Sequence, residues 1–278
     1  MTFKVNVGVD VEFMAYWKGK PFYPVLEKDF EEYMDNFGHC VEVRPQYSND
    51  KFEFMANIER SLSEVKEIKN CKFVTENVHL MKQEDFREII YENDGKDAER
   101  YHNIYGFNCL DKSEEELELE RSSGKRCVMC GTHLHISTTS SERIEFKDST
   151  GKWHYVDKEV KQRINPALLT KLFDWYIYCA LESDKYTNIG RYRSPGFFKV
   201  IDDSHFEYRS LPSTAFTPKR MSIIFDMVQI IVNNMDRIIL AIETESDTEG
   251  ILNELKRLNE KLCNSKPVTS DIVKSWIR

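Results

Sequence analysis

The stretch Gly-Thr-His-Leu-His at residues 131–135 and the stretch Phe-Glu-Tyr-Arg-Ser-Leu-Pro-Ser at residues 206–213 decide the predicted fold. Each has the pattern of a β-strand whose polar side chains stand two positions apart, so that they project from one face of a sheet. Carboxylate and imidazole groups bind divalent metal ions, whereas a guanidinium group pairs with phosphate oxygens. The two strands together therefore indicate ATP-dependent chemistry, although the sequence has no glycine-rich phosphate loop.

The composition is typical of a soluble globular enzyme. The chain has 278 residues, of which 41% are hydrophobic and 31% are charged. Its net charge of -8 argues against broad, non-specific binding to nucleic acid. No apolar run approaches the roughly 20 residues of a membrane span, and the strand-like start leaves no room for a signal peptide. Seven cysteines, an odd number, indicate reduced thiols, so we expect a cytoplasmic protein.

Cys127 and Cys130 form a Cys-x-x-Cys pair that is followed by His133. A zinc site would need a further ligand pair at a matching spacing, and a redox pair normally opens a helix. We therefore interpret the two cysteines as half-buried thiols of a strand.

The hydrophobic pattern places most strands before residue 160 or at 197–211, and the predicted helices do not alternate with them. This arrangement favours an α+β fold with a largely antiparallel sheet. The expected strands are residues 3–16, 41–44, 71–80, 126–138, 144–147, 153–156, 197–201 and 205–211. The expected helices are residues 51–69, 83–91, 167–181 and 217–242, followed by two amphipathic helices.

Residues 93–125 form an acidic insertion that includes a run of glutamates at 114–120. We interpret this segment as a solvated helix or a mobile loop, and the alternative is a lid or a partner-docking arm. From about residue 214 onwards the chain is expected to be helical.

Polar residues alternate along four of the predicted strands. A single strand of this kind usually marks a solvated sheet face. Four such strands on one face would repel one another unless cations fill the space between them, as divalent metals bridging a nucleotide would do. The four pairs are Asp10 with Glu12, Glu42 with Arg44, His133 with His135, and Glu207 with Arg209. The single histidines His79, His102, His154 and His205 are interpreted as surface or packing residues.

The order of these motifs resembles that of the carboxylate–amine ligases, or amidoligases, of the glutamine synthetase and glutamate–cysteine ligase superfamily. The motifs are Gly-x-Asp-x-Glu, Val-Glu-Val-Arg-Pro, Gly-Thr-His-x-His, a Gly-Arg loop and Glu-Tyr-Arg-Ser-Leu-Pro-Ser, between residues 8 and 213. The resemblance implies a single catalytic domain over residues 1–278, of the type that phages and mobile elements encode. It implies a curved sheet with a glutamine synthetase-like fold, whose concave face binds ATP and magnesium or manganese and whose convex side carries the helices.

The resemblance also implies roles for individual residues. The implied metal ligands are Glu12, Glu42, His135 and Glu207, with Asp10 beside them. The implied ATP-binding residues are Arg191, Arg193, Lys199, His133 and Arg209. The residues implied to act in catalysis are Arg209, Arg191 and Glu42. Lys199 stands where the family often has arginine, and lysine offers phosphate a point charge without the bidentate geometry.

The implied reaction phosphorylates a carboxylate to an acyl phosphate, which an amine then attacks to give an amide. Metal ions and arginines suit this chemistry because they neutralise the charge of the transferred phosphoryl group. Two alternatives stay open: a metal-dependent hydrolase that uses the same residues, and a non-catalytic relative that docks through the acidic arm at 111–120. The expected substrates are small-molecule, peptide or protein amines and carboxylates. A modified nucleic acid is compatible but less favoured, and the pattern selects no oligomeric state.

Overall fold

The computed structural model describes residues 3–21, 34–37, 40–66, 72–82, 84, 113–184, 195–247, 250–267 and 276. Within them, an open antiparallel sheet is combined with helices, so the α+β prediction is confirmed. The strands are β1 (Phe3–Trp17), β2 (Lys20–Pro21), β3 (Met34–Phe37), β4 (Cys40–Val43), β5 (Lys72–Val74), β6 (Val78–Met81), β7 (Arg126–Met129), β8 (Gly131–Lys147), β9 (Trp153–Lys161), β10 (Phe198–Asp202) and β11 (His205–Pro212). The α-helices are α1 (Lys51–Lys66), α2 (Glu114–Ser123), α3 (Pro166–Phe173), α4 (Cys179–Leu181), α5 (Pro218–Asn233), α6 (Met235–Thr244) and α7 (Ile251–Cys263).

The main sheet has the strand order β10-β11-β8-β1-β4-β3. Strands β2 and β5 also pair with β1, and β9 pairs with β8. The two long strands β1 and β8 pair with each other antiparallel at the centre of the sheet. Strands β6 and β7 form a separate two-stranded sheet.

The two faces of the main sheet differ because β1 alternates in polarity. Val5, Val7, Val9 and Val11 are buried and belong to the core, together with helices α1, α5 and α7. Phe54 of α1, for example, packs on Phe225 of α5 with ring centroids 5.1 Å apart. The side chains between these valines project from the opposite face. Among the described residues the helices therefore cover one face, and we call the opposite face the uncovered face.

Strands β8 and β9 extend beyond the sheet as a two-stranded ribbon. Their pairing runs from Thr139↔Lys161 to Lys147↔Trp153 and is closed by a turn at Asp148–Gly151. The side chain of Asp148 accepts hydrogen bonds from Thr150 and Lys152, which fixes the turn.

Four predicted elements are interrupted in the structure. The strand expected at 126–138 is two strands, β7 and β8, because the chain passes at Cys130 from the small sheet to the main sheet. At that point Cys130 N donates to Asn77 O, and Gly131 N donates to the carboxylate of Glu12. The strand expected at 71–80 is likewise divided into β5 and β6.

The two long predicted helices are also interrupted. The helix at 167–181 contains a π-helical turn at Asp174–Tyr178, where the side chain of Asp174 accepts a hydrogen bond of 2.7 Å from the buried Tyr208 hydroxyl. The helix expected at 217–242 breaks at Asn234, whose backbone leaves the helical region at φ -126° and ψ 20°. The hydrophobic period continues through both places, so the sequence pattern alone does not reveal either break.

The end of the acidic insertion is a capped helix. In α2, Ser113 and Glu116 form a reciprocal capping box, and Gly124 ends the helix in the left-handed conformation. This part is therefore helical, although Glu116 is buried rather than solvated. Residues 93–112, and the helix predicted at 83–91 apart from residue 84, lie outside the described residues, and the lid stays a prediction. None of the described helices combines the length and hydrophobicity that a bilayer crossing demands.

Candidate functional site

The strand register brings the predicted site residues to the uncovered face of the main sheet. Asp10 of β1 pairs with His133 of β8, and Glu12 of β1 pairs with Glu42 of β4. Glu207 of β11 pairs with His135 of β8. Residues that are far apart in sequence therefore meet because antiparallel pairing places them on adjacent strands at the same level.

Three carboxylates surround one buried imidazole. We refer to Glu12, Glu42, His133 and Glu207 as the acid–histidine cluster. His133 Nδ1 lies 3.1 Å from Glu207 Oε1 and 3.8 Å from Glu42 Oε1, and His133 Nε2 lies 4.0 Å from Glu12 Oε1. Glu12, Glu42 and His133 each offer a ligand atom within 4.8 Å of the others.

The two buried glutamates of the cluster have opposite electrostatic states. Burial, followed by the nearby carboxylates of Glu12 and Asp10, raises the pKa of Glu42 to about 8 despite the opposing effect of Arg44. Burial also raises the pKa of Glu207, but His133, Arg209 and His135 outweigh this effect and lower it to about 2. At neutral pH Glu207 is therefore ionised, whereas Glu42 retains its proton unless a further cation binds beside it.

An arginine borders the cluster on each side. On the β4 side, Arg44 donates a hydrogen bond of 2.7 Å to Glu42 and lies 3.5 Å from Asp10 Oδ2. On the β11 side, Arg209 Nε lies 2.9 Å from Glu207 Oε1. Both guanidinium groups remain partly exposed, at 41% and 30% of the side-chain surface, so they can still contact a ligand.

Lys199 is the third positively charged side chain at the predicted site in the described part of the chain. It lies on β10 and pairs in register with Glu207. Arg191 and Arg193, which the sequence places in the Gly-Arg loop, lie outside the described residues. Their predicted contacts with ATP remain proposals.

His135 lies beside the cluster and makes different contacts from His133. Its Nε2 atom lies 2.9 Å from Asp10 Oδ2, and its Nδ1 atom lies 3.1 Å from His205 Nε2. Burial lowers the pKa of His135, but the hydrogen bond and charge of Asp10 reverse this, and the net shift is upwards. The group of mutually close ligand atoms thus includes His133, whereas the predicted ligand His135 lies outside it.

His205 is a site residue that sequence reasoning misses. An isolated histidine favours a surface or packing role, yet the ring of His205 stacks obliquely on His135 with centroids 5.3 Å apart. Burial, followed by the neighbouring His135, lowers the pKa of His205. The signal available in the sequence is its spacing, because residues 205 and 207 of one strand project to the same face.

Most of these side chains line a groove of about 830 Å³ on the uncovered face, whereas Glu12 and His133 are not among the residues that line it. The groove extends from β10 and β11, across β8 and β1, to the loop after β4. Its lining includes Asp10, Glu42, Arg44, His135, Lys199, His205, Glu207 and Arg209, together with Asn6, Gly8, Tyr47 and Ser137. A groove of this volume is within the range of small-molecule sites in proteins.

The donor set fits a divalent cation. Carboxylate oxygens suit magnesium and manganese, and the imidazole favours manganese over magnesium. His133 Nδ1 is buried, and its polar contact is the one of 3.1 Å with Glu207 Oε1. A cation beside these carboxylates would lower the raised pKa of Glu42.

The cysteine pair is not part of this donor set. Cys127 and Cys130 are both buried rather than half-buried, and they flank the transition from β7 to β8. In the described portion of the chain, the three side chains whose ligand atoms lie close enough to share a metal ion include neither cysteine.

Comparison with known proteins gave limited similarity. No family model and no curated protein matches the chain. Among solved structures, the chain is similar to a bifunctional glutathione synthetase from Pasteurella multocida, with a TM-score of 0.46 and 10% sequence identity. The similarity covers 98% of this chain and 47% of that protein, so this chain spans about half the length of the synthetase. The roles of the site residues therefore rest on the geometry of the groove.

Proposed function

We propose that this protein is an ATP-dependent carboxylate–amine ligase that forms an amide through an acyl phosphate. The observation that carries the proposal is the acid–histidine cluster, whose Glu42 and Glu207 line the groove, with Arg44 on one side and Arg209 on the other. Carboxylates that hold divalent metal and arginines that hold phosphate are the two requirements of phosphoryl transfer. The motif order between residues 8 and 213 supports the same reaction and a glutamine synthetase-like fold.

The proposed reaction consists of two displacements. A substrate carboxylate oxygen attacks the γ-phosphorus, and the bond between that phosphorus and the ADP oxygen breaks. The amine nitrogen then attacks the acyl carbon, the bond from that carbon to the phosphate oxygen breaks, and the amine loses a proton. Both steps develop negative charge on phosphate oxygens, and we expect Arg44 and Arg209, which line the groove, to stabilise that charge.

The acid–histidine cluster has a separate task. Glu12, Glu42 and His133 would hold a divalent cation, magnesium or manganese, and Glu207 adds a carboxylate that stays ionised at neutral pH. When bound, the cation supplies Lewis-acid polarisation of phosphoryl oxygens. Arg209 orients Glu207 through the 2.9 Å contact, and Asp10 orients His135 through the 2.9 Å contact.

The finer predictions belong to this proposal. Lys199, Arg191 and Arg193 are proposed to bind the phosphates of ATP, and His135 is proposed as a further ligand of metal or phosphate. The proposed substrates are small-molecule, peptide or protein amines and carboxylates, and the proposed location is the cytoplasm. A phage or mobile-element origin follows from the motif resemblance alone.

Calorimetric titration with a non-hydrolysable ATP analogue tests the proposal, with Mg²⁺, with Mn²⁺ and with EDTA. We expect saturable binding of the analogue that requires the metal. Glu207→Gln is expected to weaken this binding by at least about tenfold, because the change removes a charge-assisted contact to Arg209. The matched control is Glu118→Gln in α2, where an exposed glutamate pairs with Arg121 3.2 Å away. Absence of binding under every metal condition contradicts the proposal.

Turnover distinguishes the ligase from the hydrolase alternative. With ATP, a pool of carboxylic acids and hydroxylamine as a general amine, a ligase releases ADP and forms hydroxamates. Arg209→Ala is expected to abolish both products, and its urea midpoint shows whether the fold persists once Glu207 has lost its 2.9 Å partner. Nucleotide-independent hydrolysis by the same groove would favour the hydrolase.

A further inference from the structure

The ribbon formed by β8 and β9 exposes adjacent apolar side chains. Ile144, Phe146 and Val156 are 42%, 46% and 50% exposed. Ile144 pairs in register with Val156, and Phe146 pairs with His154, so these side chains share one face of the ribbon. The same face of β8 is buried within the main sheet, where it carries Leu134. Apolar side chains that lie side by side on an exposed face indicate a surface that a partner covers.

The outer edge of β9 is open. At the two ends of the ribbon, Asp148 N donates to Lys152 O, and Gln162 N donates to Thr138 O. Because hydrogen-bonded pairs alternate in an antiparallel ladder, the even-numbered residues of β9 bond to β8 and the odd-numbered residues direct their backbone groups outwards. In the part of the chain that the structure describes, β9 pairs with β8 alone. An ion pair with β10 closes the edge at the sheet end, so the open part is residues 153–159.

The charges of β9 restrict how a second copy of β9 could pair with this edge. In a two-fold antiparallel pair, outward-directed residues must meet outward-directed residues, so the axis passes through a residue and not between two residues. An axis at Asp157 or at Lys158 places that charge opposite its own copy. An axis at Tyr155 places Lys152 opposite Lys158. An axis at His154 leaves only three residues of each strand paired.

An axis at Val156 avoids these conflicts over the whole open edge. No two carboxylates and no two ammonium groups then face each other between residues 153 and 159. The cross-strand pairs are Val156 with Val156, Tyr155 with Asp157, His154 with Lys158 and Trp153 with Glu159. Opposite side chains of this kind stabilise a strand pair, whereas like charges destabilise it. The charges of β9 therefore select one register for pairing with itself.

The same axis extends the apolar face of the ribbon. Ile144 lies directly opposite Val156 within one copy. A two-fold axis at Val156 therefore creates a row of four aliphatic side chains across four strands, Ile144 and Val156 of one copy and Val156 and Ile144 of the other. The row removes apolar surface from water, which favours association. Charge pattern and apolar pattern thus agree on one axis, although they involve different residues.

We propose that the outer edge of β9 binds a second copy of this chain, in a two-fold antiparallel pair of ribbons centred on Val156. The outward-directed residues would form about eight backbone hydrogen bonds between the copies. Glu159 lines the groove, so the partner's Trp153 would lie at the rim of the groove. The proposal is independent of the proposed function, because it uses no residue of the acid–histidine cluster.

Sedimentation velocity of the full chain between about 1 and 200 µM measures the association. We expect the wild type to shift from the mass of one chain to that of two with a micromolar dissociation constant, because two ribbons form a small interface. Val156→Lys opposes two ammonium groups at the axis and is expected to weaken the dimer at least about tenfold. The matched control is Leu240→Lys in α6, at a leucine that is 59% exposed, which should stay within about twofold of the wild type.

Disulfide cross-linking tests the register. Val156→Cys places two thiols opposite each other with Cα atoms about 4.5 Å apart, so we expect diamide to oxidise them to a disulfide between the copies. Lys158→Cys is the matched control on the same strand, because its two copies would lie four residues apart along the pair, at about 13 Å. The wild type with the same oxidant gives the background from the native thiols.

The two experiments together decide the proposal. A dimer that Val156→Lys weakens and that Val156→Cys cross-links more than Lys158→Cys supports it. A wild type that stays monomeric, a dimer that Val156→Lys leaves intact or that Leu240→Lys weakens equally, or equal cross-linking in both cysteine variants overturns it. The urea midpoint of each variant verifies that the fold persists, and the ligase proposal stands in either case.

Discussion

Replacing Glu42 with glutamine tests whether the acid–histidine cluster is a binding site for a divalent cation. Glu42 is 4% exposed, and its pKa of about 8 exceeds the ordinary value of 4.5 because of burial and the neighbouring Glu12 and Asp10. The unfolded chain ionises Glu42 above pH 4.5, whereas the native, metal-free protein keeps it protonated until about pH 8. The free energy of unfolding therefore falls as the pH rises through this interval.

The magnitude follows from the two pKa values. Between pH 4.5 and pH 7 the loss is about 1.4 kcal/mol per pH unit, or about 3 kcal/mol in total. Glutamine does not titrate, so Glu42→Gln avoids this loss, although it weakens the charge-assisted bond to Arg44 by about 1 kcal/mol. In EDTA at pH 7 to 8 we expect the variant to be more stable than the wild type by about 1–3 kcal/mol, and near pH 4.5 we expect no such gain.

Urea unfolding at pH 5, 6, 7 and 8 measures this difference, with EDTA or with millimolar Mg²⁺. The cation should stabilise the wild type through its preference for the native state and should not stabilise Glu42→Gln. Glu118→Gln, an exposed glutamate with a side-chain exposure of 69%, serves as the control and should stay within about 0.5 kcal/mol at every pH. A Glu42→Gln variant that is less stable than the wild type at pH 8 in EDTA would refute the reasoning, since Arg44 would then hold Glu42 ionised as a structural ion pair.

The structure makes three further predictions. Because native Glu42 holds a proton below about pH 8, Mg²⁺ must displace it, and calorimetry should show affinity rising by up to about tenfold per pH unit until about pH 8; a flat profile between pH 6 and 8 contradicts this. Tyr208→Phe removes the buried hydrogen bond to Asp174 and should lower the free energy of unfolding by about 1–2 kcal/mol in urea, whereas an unchanged midpoint would mean that the bond contributes nothing net. Arg220→Met leaves the buried carboxylate of Asp184 without its 2.5 Å partner and should lower the free energy of unfolding by about 3–5 kcal/mol. Adding Asp184→Asn to this variant should restore most of that loss, and a loss below about 1 kcal/mol in Arg220→Met would contradict the prediction.

Sequence pattern is sufficient for elements whose period is set locally. The alternation along β1, the helical spacing of α1 and the turn at Asp148–Gly151 depend on neighbours within one strand, one helix or one loop. The same alternation identifies the polar face, because side chains two apart on a strand must share a face. For this reason the amino-acid sequence alone is enough to select Asp10, Glu12, Glu42, His133, His135, Glu207 and Arg209 as candidate site residues.

The sequence pattern does not predict the backbone conformation where contacts with a distant segment determine it. The passage from β7 to β8 at Cys130 depends on Asn77 and Glu12, which are far away along the chain, and neither the spacing nor the polarity of residues 126–138 shows it. The π-helical turn at Asp174–Tyr178 similarly adjoins the hydrogen bond from Tyr208. Such contacts are long-range, and a hydrophobic period contains no information about them.

The sequence by itself determined the fold class and the choice of face, because both follow from the order and polarity of residues along each strand. Only the tertiary structure decided which of the two histidines joins the carboxylates and which meets Asp10 and His205. His133 and His135 project to the same face, so the alternation cannot separate them. The side-chain contacts separate them, because His133 lies near Glu12, Glu42 and Glu207, whereas His135, although it pairs in register with Glu207, contacts Asp10 and His205.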